Sequence, residues 1–136
     1  MTEEKNTGNM EEKTAEELIL VGEEYLAEGK YEEAIEVYRE IVRRDPLLTT
    51  LAKACNDCGA AYASLKQYDM AISFFNAALN LSDYLLDDGI SACYNLVRVY
   101  RLIDDEEKVQ QYIKRVELIK EEQKIRNDTA QKIMSG

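Results

Sequence analysis

One pattern of apolar and small residues occurs three times along this chain. A first group of residues at helical spacing ends nine positions before a second group begins. Both groups return 37 positions further on. After another 38 positions they return once more, in a looser form. A period between about 20 and 50 residues is typical of stacked structural units. The copies are Leu18, Val21, Gly22, Tyr25, Ala34, Ile35, Tyr38, Ile41 and Val42; Cys55, Cys58, Gly59, Tyr62, Ala71, Ile72, Phe75, Ala78 and Leu79; and Cys93, Leu96, Val97, Tyr100, Val109, Ile113 and Val116.

Each copy predicts two helices joined by a tight turn. Apolar residues at steps of three and four place one face of each helix in a core. Thr14 and Glu17 have the spacing of a capping box at the start of the first helix, Gly29 is typical of its end, and Pro46 follows the second helix. We therefore predict an all-α protein of three helical hairpins, or six helices, with the last helix extended.

These hairpins define the expected domain organisation. We predict one domain at residues 14–125, with repeats at about 15–48, 52–85 and 90–123. A disordered acidic segment at residues 1–13 is expected before it, and a polar tail at residues 126–136 after it.

The first copy resembles a tetratricopeptide repeat almost in full. The motifs that carry the resemblance are Leu18-x2-Val21-Gly22-x2-Tyr25, Gly29-Lys30-Tyr31, Ala34-x3-Tyr38-x2-Ile41 and Pro46. The second copy is similar, whereas the third has Val97 in place of the small glycine and Asp104 in place of the turn glycine. The resemblance implies a right-handed α-α superhelix of three hairpins. It also implies that Gly22 and Gly59 lie where the paired helices approach most closely.

The spacings of 37 and 38 exceed the usual repeat length of about 34 residues by about one helical turn. The extra residues stand before the first helices of the second and third hairpins. Residues 47–51 contain no helix breaker, so we expect these first helices to be longer rather than the connecting loops.

Cys55 and Cys58 have the Cys-x-x-Cys spacing of a zinc site or a redox pair. They also occupy the positions of Leu18 and Val21 in the repeat, and Cys93 occupies the same place in the third copy. A zinc site normally needs four ligands, and the sequence has neither a histidine nor a second Cys-x-x-Cys. We predict that all three cysteines are packed in the core as small hydrophobic residues, without a metal.

The composition excludes several classes of function. A formal net charge of −10, from 17 basic and 27 acidic residues, argues against binding to nucleic acid or to an anionic membrane. Without histidine, a phosphate-binding glycine loop or a calcium loop, we expect no catalytic residue, no cofactor and no enzymatic activity. The polar, acidic first residues and the absence of a long apolar run lead us to expect no signal peptide, no membrane helix and a cytoplasmic location.

The resemblance also implies where a partner would bind. In tetratricopeptide arrays the outward faces of the first helices line a concave groove. Ile19 and Tyr94 have no evident core position in the sequence pattern, so we expect them to be apolar anchors in this groove. The implied lining residues are Glu16, Ile19 and Glu23 in the first hairpin; Lys53, Asn56, Asp57 and Ala60 in the second; and Tyr94, Asn95, Arg98 and Arg101 in the third.

We therefore predict a protein–protein interaction module that binds a polypeptide segment in the groove. The lining changes from acidic at Glu16 and Glu23 to basic at Arg98 and Arg101, which would orient a partner. No lysine or arginine stands at the positions that hold chaperone tails in related clamps, which are Ile19, Glu23, Asp57, Ser91 and Asn95. The alternatives are a self-assembling module that forms a homo-oligomer and a merely solvated concave face.

Overall fold

The computed structural model describes residues 10–136, and this part of the chain contains six α-helices and no strand. The first and second helices, the third and fourth, and the fifth and sixth pair as antiparallel hairpins, and each hairpin packs against the next. The predicted all-α fold of three hairpins is therefore confirmed. The helices are α1 (Ala15–Ala27), α2 (Tyr31–Arg43), α3 (Leu48–Ser64), α4 (Tyr68–Asn80), α5 (Ile90–Leu102) and α6 (Glu106–Ser135).

The turn inside each hairpin has the same backbone geometry, although its sequence changes. Gly29 has a φ of 73°, in the left-handed region that glycine adopts without strain. Lys66 and Asp104 stand at the corresponding positions and have φ angles of 62° and 60°. The predicted capping box is also present, because Thr14 Oγ1 accepts from the Glu17 backbone N–H at 3.1 Å and Glu17 Oε1 accepts from the Thr14 N–H at 2.9 Å. The turn geometry is thus retained in the second and third hairpins, which both lack the glycine.

The core of each hairpin depends on the close approach of its two helices. A Cβ atom on Gly22 would lie 2.7 Å from the Tyr38 ring, and one on Gly59 would lie 2.6 Å from the Phe75 ring. Both distances are shorter than any real contact, so the rings occupy the space that a side chain would need. The predicted close approach at both glycines is confirmed. In the third hairpin, buried Val97 replaces the glycine and the smaller Ile113 stands at the position of the ring.

The two connections between hairpins differ. The helix α3 begins at Leu48, soon after Pro46, so the additional turn is helical there, as predicted. The same prediction is wrong for α5, which begins only at Ile90, after a 3-10 helix at Ser82–Tyr84 and a series of turns. Local hydrogen bonding explains the late start, because the Asp87 carboxylate accepts from the backbone N–H groups of Gly89 (3.0 Å) and Ser91 (2.7 Å). We call residues 81–89 the connecting segment.

The structure corrects the prediction of disorder near the first hairpin. Met10–Glu12 form a 3-10 helix, and the Arg44 guanidinium donates hydrogen bonds to the carbonyl oxygens of Met10 (2.6 Å) and Lys13. The expected disorder is therefore wrong for residues 10–13, while residues 1–9 lie outside the described part.

The last helix is longer than its hairpin partner. It continues through the predicted tail at 126–136 as far as Ser135, because the sequence after Glu106 contains neither glycine nor proline before Gly136. Gln123 and Arg126 also bind the Asp88 carboxylate, at 2.9 and 2.6 Å. The tail boundary predicted at residue 126 is thus not a boundary in the structure.

Candidate functional site

The first helices of the hairpins, α1, α3 and α5, lie side by side, because α3 contacts both of the others. Five of the predicted groove residues line a single cavity of about 560 Å³ between α1, α3 and the connecting segment. We call this cavity the anchor pocket. The five residues are Glu16, Ile19, Lys53, Asn56 and Asp57.

The charges near the anchor pocket are partly compensated. The Lys53 ammonium lies 3.8 Å from Glu23 Oε1 and 3.6 Å from Asp57 Oδ2. Burial raises the pKa of Asp57 above its usual value, and the nearby Lys53 opposes this shift. Lys53 is the one basic residue among the described residues that line the pocket, and it already interacts with two carboxylates.

A side-chain hydrogen bond continues the row of groove residues from α3 to α5. Asn95 Nδ2 donates to Asn56 Oδ1 at 3.2 Å. Beyond this pair, Asn95, Ala60 and the exposed Arg98 border a smaller cavity of about 190 Å³. The structure thus brings predicted groove residues from all three hairpins into one continuous strip, from Glu16 to Arg98.

The two expected apolar anchors behave differently from the prediction. Ile19 is only 8% exposed and belongs to the core, so the expectation that it has no core position is wrong. Ile19, Asn56 and Tyr94 are equivalent in the repeat, and Asn56 reaches the neighbouring first helix. The residue at this position therefore fills the space between adjacent hairpins whenever a further hairpin follows.

Tyr94 belongs to the third hairpin, where no first helix in the described part of the chain covers it, and it is 43% exposed. Its hydroxyl accepts a hydrogen bond from Lys120 Nζ of α6 at 3.2 Å. Tyr94 and Arg101 border a shallow depression of about 480 Å³ together with Arg98, Val97 and Leu102. These two predicted groove residues thus lie on the outer face of the third hairpin and do not line the anchor pocket.

Sequence reasoning missed the part of the anchor pocket that the connecting segment provides. Leu86 is fully exposed, Tyr84 is 45% exposed, and both line the pocket. The signal for this segment in the sequence is the 38-residue spacing, which alone does not distinguish a longer helix from a longer connection. The lining also includes Thr49, Thr50, Leu85 and Asp87, which are outside the predicted set, and Ser91, which stands at one of the clamp positions named in the sequence.

The three cysteines are buried, as predicted, at exposures of 5% or less. Burial raises the pKa of all three thiols, and that of Cys58 reaches about 12, with further contributions from neighbouring groups. Within residues 10–136, no cluster of three or more His, Cys, Asp or Glu side chains is arranged to hold a metal ion.

No helix within residues 10–136 combines the length and apolar composition needed to cross a membrane.

Comparison with known proteins agrees with this geometry for the first two hairpins. Two family models, both described as tetratricopeptide repeat, match residues 15–48 and residues 52–83. No curated protein matches the chain. Repeats of this type are generally protein–protein interaction modules and are typically found in non-enzymatic scaffolds. With two matched repeats in register and a third hairpin of the same architecture stacked on them, the chain belongs to the tetratricopeptide repeat family.

Proposed function

We propose that the chain is a protein–protein interaction module that binds a polypeptide segment along the strip from Glu16 to Arg98. The observation that carries this proposal is the continuity of the strip across three hairpins. The anchor pocket lies at one end, the Asn56–Asn95 pair in the middle and an exposed Arg98 at the other end. An extended segment in such a groove would bury side chains in the pocket and satisfy its polar groups on the strip.

The polarity of the strip supports one orientation of the partner. Glu16 and Glu23 lie at the end formed by α1, and Arg98 and Arg101 are exposed on α5. We expect the basic end of a bound segment to lie near α1 and its acidic end near α5, because complementary charges orient partners and suppress the reverse arrangement.

Charge reversal at the α5 end tests this function. Arg98→Glu combined with Arg101→Glu should weaken the binding of partners captured by the wild-type protein, with a clear dependence on salt, and should leave the helical content unchanged. Lys114→Glu combined with Lys124→Glu is the matched control, since it makes the same change of charge at exposed positions of α6. Equal binding by both double variants would contradict the proposal.

Self-assembly is the second candidate, and the exposed apolar residues of α6 favour it. Leu118, Ile125 and Ile133 are 56% to 75% exposed along this helix. Native mass measured over a range of concentrations separates the two candidates. A monomer that still binds partners supports the peptide-binding proposal, whereas a dimer that Leu118→Ser or Ile125→Ser dissociates, with partner binding absent, supports self-assembly.

A further inference from the structure

The anchor pocket has an apolar wall that the connecting segment provides. Leu86 is fully exposed and Tyr84 is nearly half exposed, yet both border the same cavity as buried Ile19. The segment keeps its position because the 3-10 helix at Ser82–Tyr84 contacts α3 and because Asp87 caps the start of α5. An exposed leucine beside a cavity of about 560 Å³ offers a surface on which an apolar side chain could be buried.

The charges around this wall are predominantly negative. Glu16, Asp57 and Asp87 line the pocket, and Lys53, the single lysine among the lining residues in the described range 10–136, is already close to both Asp57 and Glu23. Glu16 is exposed, with one oxygen 3.4 Å from the Leu47 backbone N–H, which places its carboxylate at the rim. Partial burial opposes ionisation of Asp87, but hydrogen bonds from Ser91 and Gly89 hold its pKa below the usual value. The carboxylates therefore outnumber the cation around an apolar wall.

We propose that the anchor pocket binds one aliphatic or aromatic side chain of a peptide whose neighbouring residues are lysine or arginine. This inference rests on the proposed function and names the chemistry of the segment that would occupy the α1 end of the strip. The apolar side chain packs against Leu86 and Tyr84, and a flanking cation lies near Glu16. An acidic segment is disfavoured at this end, because its carboxylates would face those of Glu16 and Asp87.

Three short peptides of defined sequence test the specificity. The first has a central leucine with two lysines on each side, the second replaces the lysines by glutamates, and the third replaces the leucine by serine. Fluorescence polarisation with the intact protein should show that the first peptide binds at least about tenfold more tightly than either of the others. Its affinity should fall as salt is added, because exposed charges are screened.

Matched variants test the location of the site. Leu86→Ser should weaken binding of the lysine–leucine peptide by about tenfold, whereas Leu118→Ser, at an exposed leucine of α6, should leave it unchanged. Glu16→Lys should weaken binding of the same peptide by about threefold or more. Its matched control is Glu24→Lys, which makes the same charge change at an exposed position of α1 that does not line the pocket. Circular dichroism should show that all four variants keep the helical content of the wild-type protein.

The possible outcomes distinguish this inference from the proposed function. Equal affinity for the lysine and glutamate peptides, or equal effects of Leu86→Ser and Leu118→Ser, would overturn the inference. If the lysine–leucine peptide fails to bind while Arg98→Glu with Arg101→Glu still abolishes binding of a captured partner, the inference is wrong and the proposed function stands. If neither the peptides nor any partner responds to a change on the strip, both are wrong.

Discussion

Asn56 and Asn95 are 39 positions apart in the chain, and their side-chain amides are joined by a hydrogen bond of 3.2 Å. This bond connects the first helices of the second and third hairpins on the strip that we propose for partner binding. As predicted lining residues of the groove, both could offer side-chain hydrogen-bonding groups to a partner. The structure shows instead that part of this capacity is used within the array, where it fixes two neighbouring helices.

We expect Asn95→Ala to lower the free energy of unfolding by about 0.5–1.5 kcal/mol, because it removes this bond and leaves the half-buried Asn56 amide with one partner fewer. Adding Asn56→Ala should then cost less than it does in the wild-type background, since the shared interaction has already been lost. Asn80→Ala, at an exposed position at the end of α4, is the control. Strictly additive effects of the two groove substitutions in urea denaturation would show that the bond contributes nothing.

Gly59→Leu should lower the free energy of unfolding by about 1–3 kcal/mol or more, because the Phe75 ring already occupies the space beside this glycine. Ser64→Leu adds a similar side chain to an exposed position of the same helix and should change stability by less than about 0.5 kcal/mol. Thermal unfolding followed by circular dichroism compares them. Gly89→Ala would be unsuitable as a control, because Gly89 has a φ of 98° and is itself buried.

The thiols of Cys55, Cys58 and Cys93 should react slowly with a thiol reagent in the native protein at about pH 8. Burial limits access to each sulfur, and the raised pKa values keep the thiols protonated. Ser64→Cys should add one thiol that reacts rapidly, since this position is exposed. All three native thiols should become reactive together in urea, and rapid native labelling of any one would show that its hairpin is open.

Asp57→Asn should change how stability depends on pH. Burial raises the pKa of Asp57 in the folded protein, so the folded state retains this proton at pH values where the unfolded chain has lost it. Between its ordinary value of 3.8 and the raised value, Asp57 therefore makes the free energy of unfolding fall as pH rises. The asparagine variant should lack this decrease and should be more stable than the wild-type protein above that range.

The free energy of unfolding of Asp57→Asn must be compared with that of the wild-type protein at each pH. Other carboxylates change the stability of both proteins with pH in the opposite sense. Hydrogen bonds lower the pKa of Glu17 and of Asp88, so these groups stabilise the folded state as pH rises through the acidic range. Urea denaturation from about pH 3 to pH 7 should show the wild type losing stability relative to Asp57→Asn across this range. Asp128→Asn, at an exposed position of α6, should follow the wild type throughout.

The hairpins could be predicted from sequence because their determinants are local. The capping box at Thr14 and Glu17, the stop at Gly29 and the recurrence of Gly22 and Gly59 all act within one hairpin. The connecting segment could not be predicted, because its path depends on contacts of the 3-10 helix with α3 and on the cap that Asp87 provides. A count of extra residues shows that something is added but does not distinguish a helical turn from a loop.

The candidate site was predictable only in part for a related reason. The repeat pattern identifies the faces of α1, α3 and α5, and Glu16, Lys53 and Asp57 from these faces line one cavity in the structure. The exposure of each residue depends on whether another hairpin covers it, and this differs along the array. Ile19 is covered and Tyr94 is not, although the two residues are equivalent in the repeat.

The central position of α3 also bears on how the chain folds in time. This helix contacts α1, α2, α4, α5 and the 3-10 helix of the connecting segment, whereas α6 packs mainly on α5. In an array of repeats, structure spreads from one unit to its neighbours. A nucleus that includes α3 can recruit the hairpins on both sides, whereas a nucleus in the first or the third hairpin adjoins a single described neighbour. We therefore expect the rate of folding to depend most on α3, and the terminal hairpins to form last and to open first.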